Sequence, residues 1–200
     1  METKIELLEK ISKKIEKCND CILSQTRNKT VPGKGNINSP IVFIGEGPGE
    51  EEDKTGIPFV GRAGKLLSKI FESVELDRND FYITNIVKCR PPNNRVPTDQ
   101  EKNKCSKYLY SQLAIIKPKL IVTLGSTSFA YLLGLKKVKM GDVRGNIFEW
   151  RGNVKIMSMY HPSYLLRNAS RNPGSPKDKT WQDIKKIKEL YFKIKKGEQI

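Results

Sequence analysis

The chain has 200 residues, 37% of them hydrophobic, and a formal net charge of +15. That length suits one domain with a buried core, and no apolar run approaches the roughly 18 residues needed to span a bilayer. The basic balance points to an anionic partner, with nucleic acid the commonest, against the plainer reading of a lysine-rich solubilising surface. The charged, periodic start METKIELLEKISKK is expected to be neither signal peptide nor membrane anchor, so a cytoplasmic location is expected.

Residues 4 to 16 place Ile5, Leu8, Ile11 and Ile15 at helical spacing and predict a helix. It delivers Cys18 and Cys21 in a polar turn. A loop through Val31-Pro32-Gly33-Lys34-Gly35 leads to the stretch Ile41 to Gly61. Ile41-Val42-Phe43-Ile44, between Pro40 and Gly45, reads as a short strand buried on both faces, as in a parallel sheet. Gly45, Gly47, Pro48 and Gly49 form a tight loop at its C-terminal end. Four acids follow, Glu50 to Asp53, then Pro58-Phe59-Val60. Ligands of open α/β sheets bind at the carboxyl ends of strands, so carboxylates and an aromatic ring here look like a site. The plainer alternative is a solvated turn and a charged helix start.

Ala63, Leu66, Leu67, Ile70, Phe71 and Val74 predict a second helix, and Phe81 to Val87 a second strand with Asn85 near its exit. Lys88 to Arg95 reads as an extended basic loop in which Pro91-Pro92 forbid helix. Thr98 and Glu101 have capping-box spacing and open a third helix through Cys105, Tyr108, Leu109, Gln112, Leu113 and Ile116. Leu120 to Leu124 is a third strand, after which Ser126 can cap a short helix closed by Gly134. Residues 146 to 159 read as two extended segments joined at Arg151-Gly152-Asn153. The second ends in Tyr160-His161-Pro162-Ser163-Tyr164-Leu165-Leu166-Arg167, followed by a polar loop to Lys179 that carries Arg171. The last helix sets Trp181, Ile184, Ile187, Tyr191 and Ile194 on one side. Strands alternating with helices argue for a three-layer α/β domain covering residues 1–200.

Cys18 and Cys21 form C-x2-C, and Cys89 and Cys105 stand far apart. With no sign of secretion, disulfides are not expected. Zinc ribbons pair C-x2-C with a second C-x2-C, which is missing here. An iron–sulfur cluster needs four thiolates with looser spacing. Cysteines packed as small hydrophobes are the third reading, and the residues alone leave all three open.

Three strand exits carry polar groups: Glu46 to Asp53, Asn85, and His161, the single histidine. The motifs GEGPGEEED (45–53), GIPFVGRAG (56–64), TNIVKCRPP (84–92) and HPSYLLR (161–167), with the four cysteines, closely resemble the family 4 uracil-DNA glycosylases, the iron–sulfur enzymes of bacteria and archaea. The resemblance runs from Cys18 to Arg167. It implies a central four-stranded, mainly parallel sheet between helices, and a structural [4Fe-4S] cluster on Cys18, Cys21, Cys89 and Cys105. It also implies excision of uracil from single- or double-stranded DNA by hydrolysis, leaving an abasic site for base-excision repair.

On that resemblance Phe59 stacks on the flipped base and Asn85 reads its edge. His161 donates to uracil O2, and the main chain at Glu46 and Gly47 adds donors. Where many relatives in other families carry an acid, Gly47 stands here, so another acid is expected to serve the sugar or the water: Glu52 first, with Glu46 and Asp53 as alternates. Lys88, Arg90, Arg95, Arg167 and Arg171 are expected phosphate contacts, and Leu165 the wedge that fills the gap left by the base. A monomer is expected, and a sliding clamp is a candidate partner that no motif identifies. Three rivals remain: a non-catalytic iron–sulfur DNA-binding module on this fold, a zinc-stabilised nucleotide-binding protein, and a relative that traps the abasic sugar through another histidine. The last is disfavoured because His161 has no second histidine beside it.

Overall fold

A computed structural model describes residues 2–200. Helix α1 (Lys4–Glu16) begins at a full capping box, in which the Glu6 carboxylate accepts from the Thr3 N–H at 2.8 Å and Thr3 Oγ1 accepts from the Glu6 N–H. Leu8, Ile11 and Ile15 are buried, but Ile5 is exposed. At 3.6 residues per turn Ile5 lies roughly 90° from the centre of the buried arc, outside the stripe it was expected to join.

Next come the single turn α2 (Leu23–Thr26), strands β1 (Lys34–Gly35) and β2 (Ile41–Gly45), helices α3 (Glu50–Thr55) and α4 (Arg62–Glu72), and strand β3 (Tyr82–Asn85). Helix α5 (Asp99–Ile116) starts at the predicted Thr98–Glu101 capping box. Strand β4 (Leu120–Leu124), helices α6 (Ser126–Leu133) and α7 (Met140–Val143), the hairpin β5 (Ile147–Glu149) and β6 (Lys155–Met159), and helices α8 (Pro162–Arg167) and α9 (Pro176–Lys195) complete the chain.

The sheet has six strands in the order β1-β3-β2-β4-β6-β5. The four central strands β3, β2, β4 and β6 are mutually parallel, as expected, and β1 and β5 add short antiparallel edges. Alternate residues feed opposite faces. Ile41 and Phe43 of β2 pack with Leu67, Phe71, Ile184 and Ile187 of α4 and α9. Val42 and Ile44 pack with Leu8, Leu109, Leu113 and Phe129 of α1, α5 and α6. The result is helix, sheet, helix.

Five local expectations change. Tyr82 to Asn85 is shorter than the strand read over 81–87. Pro92–Asn94 form a 3₁₀ turn, with Asn93 in the left-handed region, inside the stretch read as extended. Gly125, not Ser126, occupies the N-cap of α6; a Cβ there would come within 3.1 Å of the His161 Cβ, and its φ is +94°. The HPSYLLR segment is helical, because Pro162 fits the first helical position and His161 caps it. Trp181, expected on the apolar side of α9, is exposed, whereas Ile184 and Ile187 are buried. No helix among the described residues is long and apolar enough to cross a membrane.

Candidate active site

The parallel strands all end on one side of the sheet, where their exits wall a cleft of about 1130 Å³. Glu46, Gly47, Phe59, Asn85 and His161 all line it, so separate strand exits meet there as expected. Asn85 is the last residue of β3 and pairs in register with Gly45 of β2. Its side chain is buried, yet Oδ1 has no hydrogen-bond partner among the described residues. An unpaired buried acceptor costs about 1–3 kcal/mol, which a ligand donor would recover. Glycine is needed at 45, because a Cβ would lie 2.6 Å from the Phe59 ring and nearer still to Asn85 Oδ1.

The Phe59 and His161 rings both line the cleft, with centroids 5.9 Å apart and planes tilted by 40°. Phe59 has φ +52°, a left-handed backbone unusual for an aromatic residue. His161 Nδ1 accepts from the Ser163 N–H at 3.1 Å, and the Ser163 hydroxyl lies 2.7 Å from the same nitrogen. Burial, with the nearby Arg167 charge, pushes the histidine pKa down to about 4. The imidazole is therefore neutral at ordinary pH, and its proton resides on Nε2.

The acids sort differently from the expectation. Glu52 is buried; Oε1 accepts from the Val60 and Gly61 N–H groups, both at 2.8 Å, and Oε2 from Gly49 N–H at 3.1 Å. Glu52 lines the cleft as expected, and its oxygens also brace the loops around Phe59, a structural engagement that the sequence did not show. Asp53 leaves the list of alternates: buried and absent from the cleft lining, it accepts from the Asn28 N–H at 3.0 Å and from the Asn28 side-chain amide. Glu46 is half-buried and lines the cleft. Its carboxylate has no hydrogen-bond or ion-pair partner among the described residues, and the backbone N–H groups of Glu46 and Gly47 likewise find no acceptor there.

Two expected DNA contacts are corrected. Lys88 is fully buried, and its Nζ donates to Thr84 Oγ1 at 2.6 Å and to the Asn85 carbonyl at 2.8 Å. It cannot reach a phosphate; it ties down the strand that presents Asn85. Leu165 is 1% exposed and packs into the core, whereas Leu166 is 40% exposed and lines the cleft. Arg90 and Arg95 are engaged, Arg90 with Asn94 and Glu50, and Arg95 in a two-pronged pair with Glu101 at 2.6 and 2.8 Å. Arg167 stands exposed at the rim, while Arg171 is exposed but outside the lining. Arg62, at the start of α4, is an exposed rim cation that sequence reasoning missed, and Ser163 was missed as the partner of His161. The Ser163 spacing, two residues past a helix cap, was the available signal.

All four cysteines are free thiols lining one small pocket. Arg27 donates to Cys89 Sγ at 3.3 Å and, through the same nitrogen, to the Cys18 carbonyl at 2.8 Å; the Lys88 N–H donates to Cys105 Sγ at 3.2 Å. As placed, no group of three or more His, Cys, Asp or Glu among the described residues could hold a metal ion. The donor set nevertheless suits a thiolate-ligated centre: four sulfurs share one pocket, with N–H donors and a guanidinium aimed at them.

The family model described as the Uracil DNA glycosylase superfamily matches residues 32–185. A type-4 uracil-DNA glycosylase of Thermotoga maritima is 51% identical over 170 residues, covering 85% of this chain and 88% of that one. Those of Archaeoglobus fulgidus and Sulfurisphaera tokodaii are 42% and 43% identical, each over 93% of this chain and over 94% and 86% of their own. The chain belongs to the uracil-DNA glycosylase superfamily and, within it, to the type-4 uracil-DNA glycosylases.

Proposed function

We propose that the chain excises uracil from DNA by hydrolysing its N-glycosidic bond, leaving an abasic site and starting base-excision repair. The observation that carries the reading at residue level is the unpaired, buried Oδ1 of Asn85, set in a cleft with Phe59 and His161. A base in the duplex is out of reach, so the nucleotide must be flipped into the cleft, as glycosylases do. Phe59 offers a face for stacking. Asn85 Oδ1 accepts from uracil N3–H, and the Asn85 amide donates to O4. Cytosine presents an acceptor at N3 and a donor at position 4, so it mismatches both.

As the bond breaks, the sugar becomes oxocarbenium-like and negative charge spreads over the uracil oxygens. The neutral His161 donates Nε2–H to O2, and the free N–H groups of Glu46 and Gly47 supply further donors where charge develops. Glu46 takes the role first expected of Glu52: its carboxylate orients the water and stabilises the cationic sugar. Water adds to the sugar carbon, its proton passes to the carboxylate, and uracil departs as the anion. Leu166 fills the gap in the duplex, and Arg62, Arg167 and Arg171 contact phosphates.

Cys18, Cys21, Cys89 and Cys105 would hold a [4Fe-4S] cluster. When bound, the cluster supplies a cross-link joining the turn after α1, the loop after β3, and α5. Arg27 and the Lys88 N–H then serve as donors to the cysteine sulfurs.

A single-uracil oligonucleotide tests the reaction class. The strand should stay intact after incubation and break at the uracil only when alkali is added. A break without alkali would mean lyase chemistry, and no break with it would overturn the glycosylase reading.

A further inference from the structure

Phe59 keeps its left-handed backbone because opposite charges grip the peptides on either side of it. Arg78 reaches this segment from a 3₁₀ turn, Arg78–Asp80, that leads into β3. Its Nη1 donates to the Phe59 carbonyl at 2.8 Å and its Nη2 to the Pro58 carbonyl at 2.7 Å. Nη1 also lies 3.2 Å from Ser68 Oγ on α4. Glu52 holds the next two N–H groups, at Val60 and Gly61. Thus two carbonyls meet a cation and the two following amides meet an anion. The segment cannot slide toward α4, because the Phe59 carbonyl already sits where a Cβ on Gly64 would be.

Without such contacts, a bulky residue would leave the left-handed region for the broader β or right-handed wells. Arg78 does not line the cleft, so it has no direct business with substrate. Seven residues on, the same segment ends in Asn85. One short stretch therefore anchors both the stacking ring and the residue that reads the base edge.

We propose that Arg78 is a positioning residue for uracil binding, fixing the Phe59 ring at the height the flipped base requires. This rests on the stacking role proposed above for Phe59.

The test is a double-mutant cycle on Arg78→Met and Phe59→Leu, read as KM and kcat for uracil release and as inhibition by free uracil. Each single variant should raise KM and weaken free-uracil inhibition by about tenfold, with a smaller change in kcat, as lost ground-state binding does. The double variant should be no worse than Phe59→Leu alone, because Arg78 acts through that ring. Arg78→Lys should recover part of the loss, since it keeps the charge and one donor nitrogen where the guanidinium had two; it carries the cycle if Arg78→Met does not fold. Multiplying losses in the double variant, or a Phe59→Leu enzyme fully sensitive to Arg78→Met, would overturn the proposal and leave Arg78 as a general stabiliser. Wild-type behaviour of Phe59→Leu by itself would instead overturn the stacking role beneath it.

Discussion

The Ser163 N–H points at Nδ1 of His161, 3.1 Å away, and so decides which nitrogen of the ring carries its proton. With Nδ1 an acceptor, the proton is left to Nε2, and burial keeps the ring uncharged down to a pKa of about 4. His161 is the only histidine, so nitrogen and ring-proton NMR will report it without overlap. The spectra should show the Nε2–H tautomer and no titration near 6.5. The stability gained by keeping the ring neutral is complete above 6.5. It is lost as pH falls toward 4, because the unfolded chain takes up the proton first. A midpoint near 6.5 in the folded enzyme would remove the neutral donor from the mechanism.

Glu46 and Glu52 stand six residues apart and should fail in different ways. Glu46→Gln removes a carboxylate that holds no part of the fold, so kcat should fall by about 10²-fold or more with Tm unchanged. Glu52→Gln places an amide among three N–H donors and should cost about 1–3 kcal/mol of stability, lowering Tm in denaturation curves. A fall in kcat at Glu52→Gln with KM and Tm intact would return the water-orienting role to Glu52, because loss of its hold on the Phe59 segment would raise KM instead.

Much of this fold was readable because its signals are local. The capping box at Thr98 and the four-residue apolar run at Ile41 depend on neighbours in sequence. So does the exit of Asn85 and His161 from parallel strands. What stayed hidden depends on contacts across the fold. Four consecutive acids look alike until Glu52 turns inward to the Val60 and Gly61 amides, although its place three residues after Gly49 was a capping signal. Lys88 reads as a basic-loop cation until its ammonium is seen against Thr84 and the Asn85 carbonyl. Nothing near Arg78 in sequence shows that it reaches back to Pro58 and Phe59. That HPSYLLR is helical, so that its adjacent leucines point about 100° apart, also emerged only in the structure.

That last point separates Leu165 from Leu166. Leu165→Ala should cost about 2–5 kcal/mol, because it leaves a cavity beneath α8. Leu166→Ala should leave Tm unchanged and reduce activity on duplex DNA more than on single strands, since only a duplex leaves a gap to fill. Equal losses on both substrates would exclude the wedge role.

Cys89 lies four residues past Asn85, so the cysteine centre and the base-reading residue share one segment. Cys89→Ala should bind less iron per chain by metal analysis, lose the brown colour and unfold at lower temperature than wild type. Full activity without iron would show that the pocket wall does not depend on the cysteine centre.

The most direct measurement is the rate at which free uracil is released from a single-uracil oligonucleotide, with Asn85→Ala beside wild type. Wild type should turn over. Asn85→Ala should retain the fold but lose about 10- to 100-fold in kcat/KM, the worth of one or two base-edge hydrogen bonds. No uracil release by folded, iron-loaded wild type that still binds DNA would contradict the reading, and so would an Asn85→Ala enzyme as active as wild type.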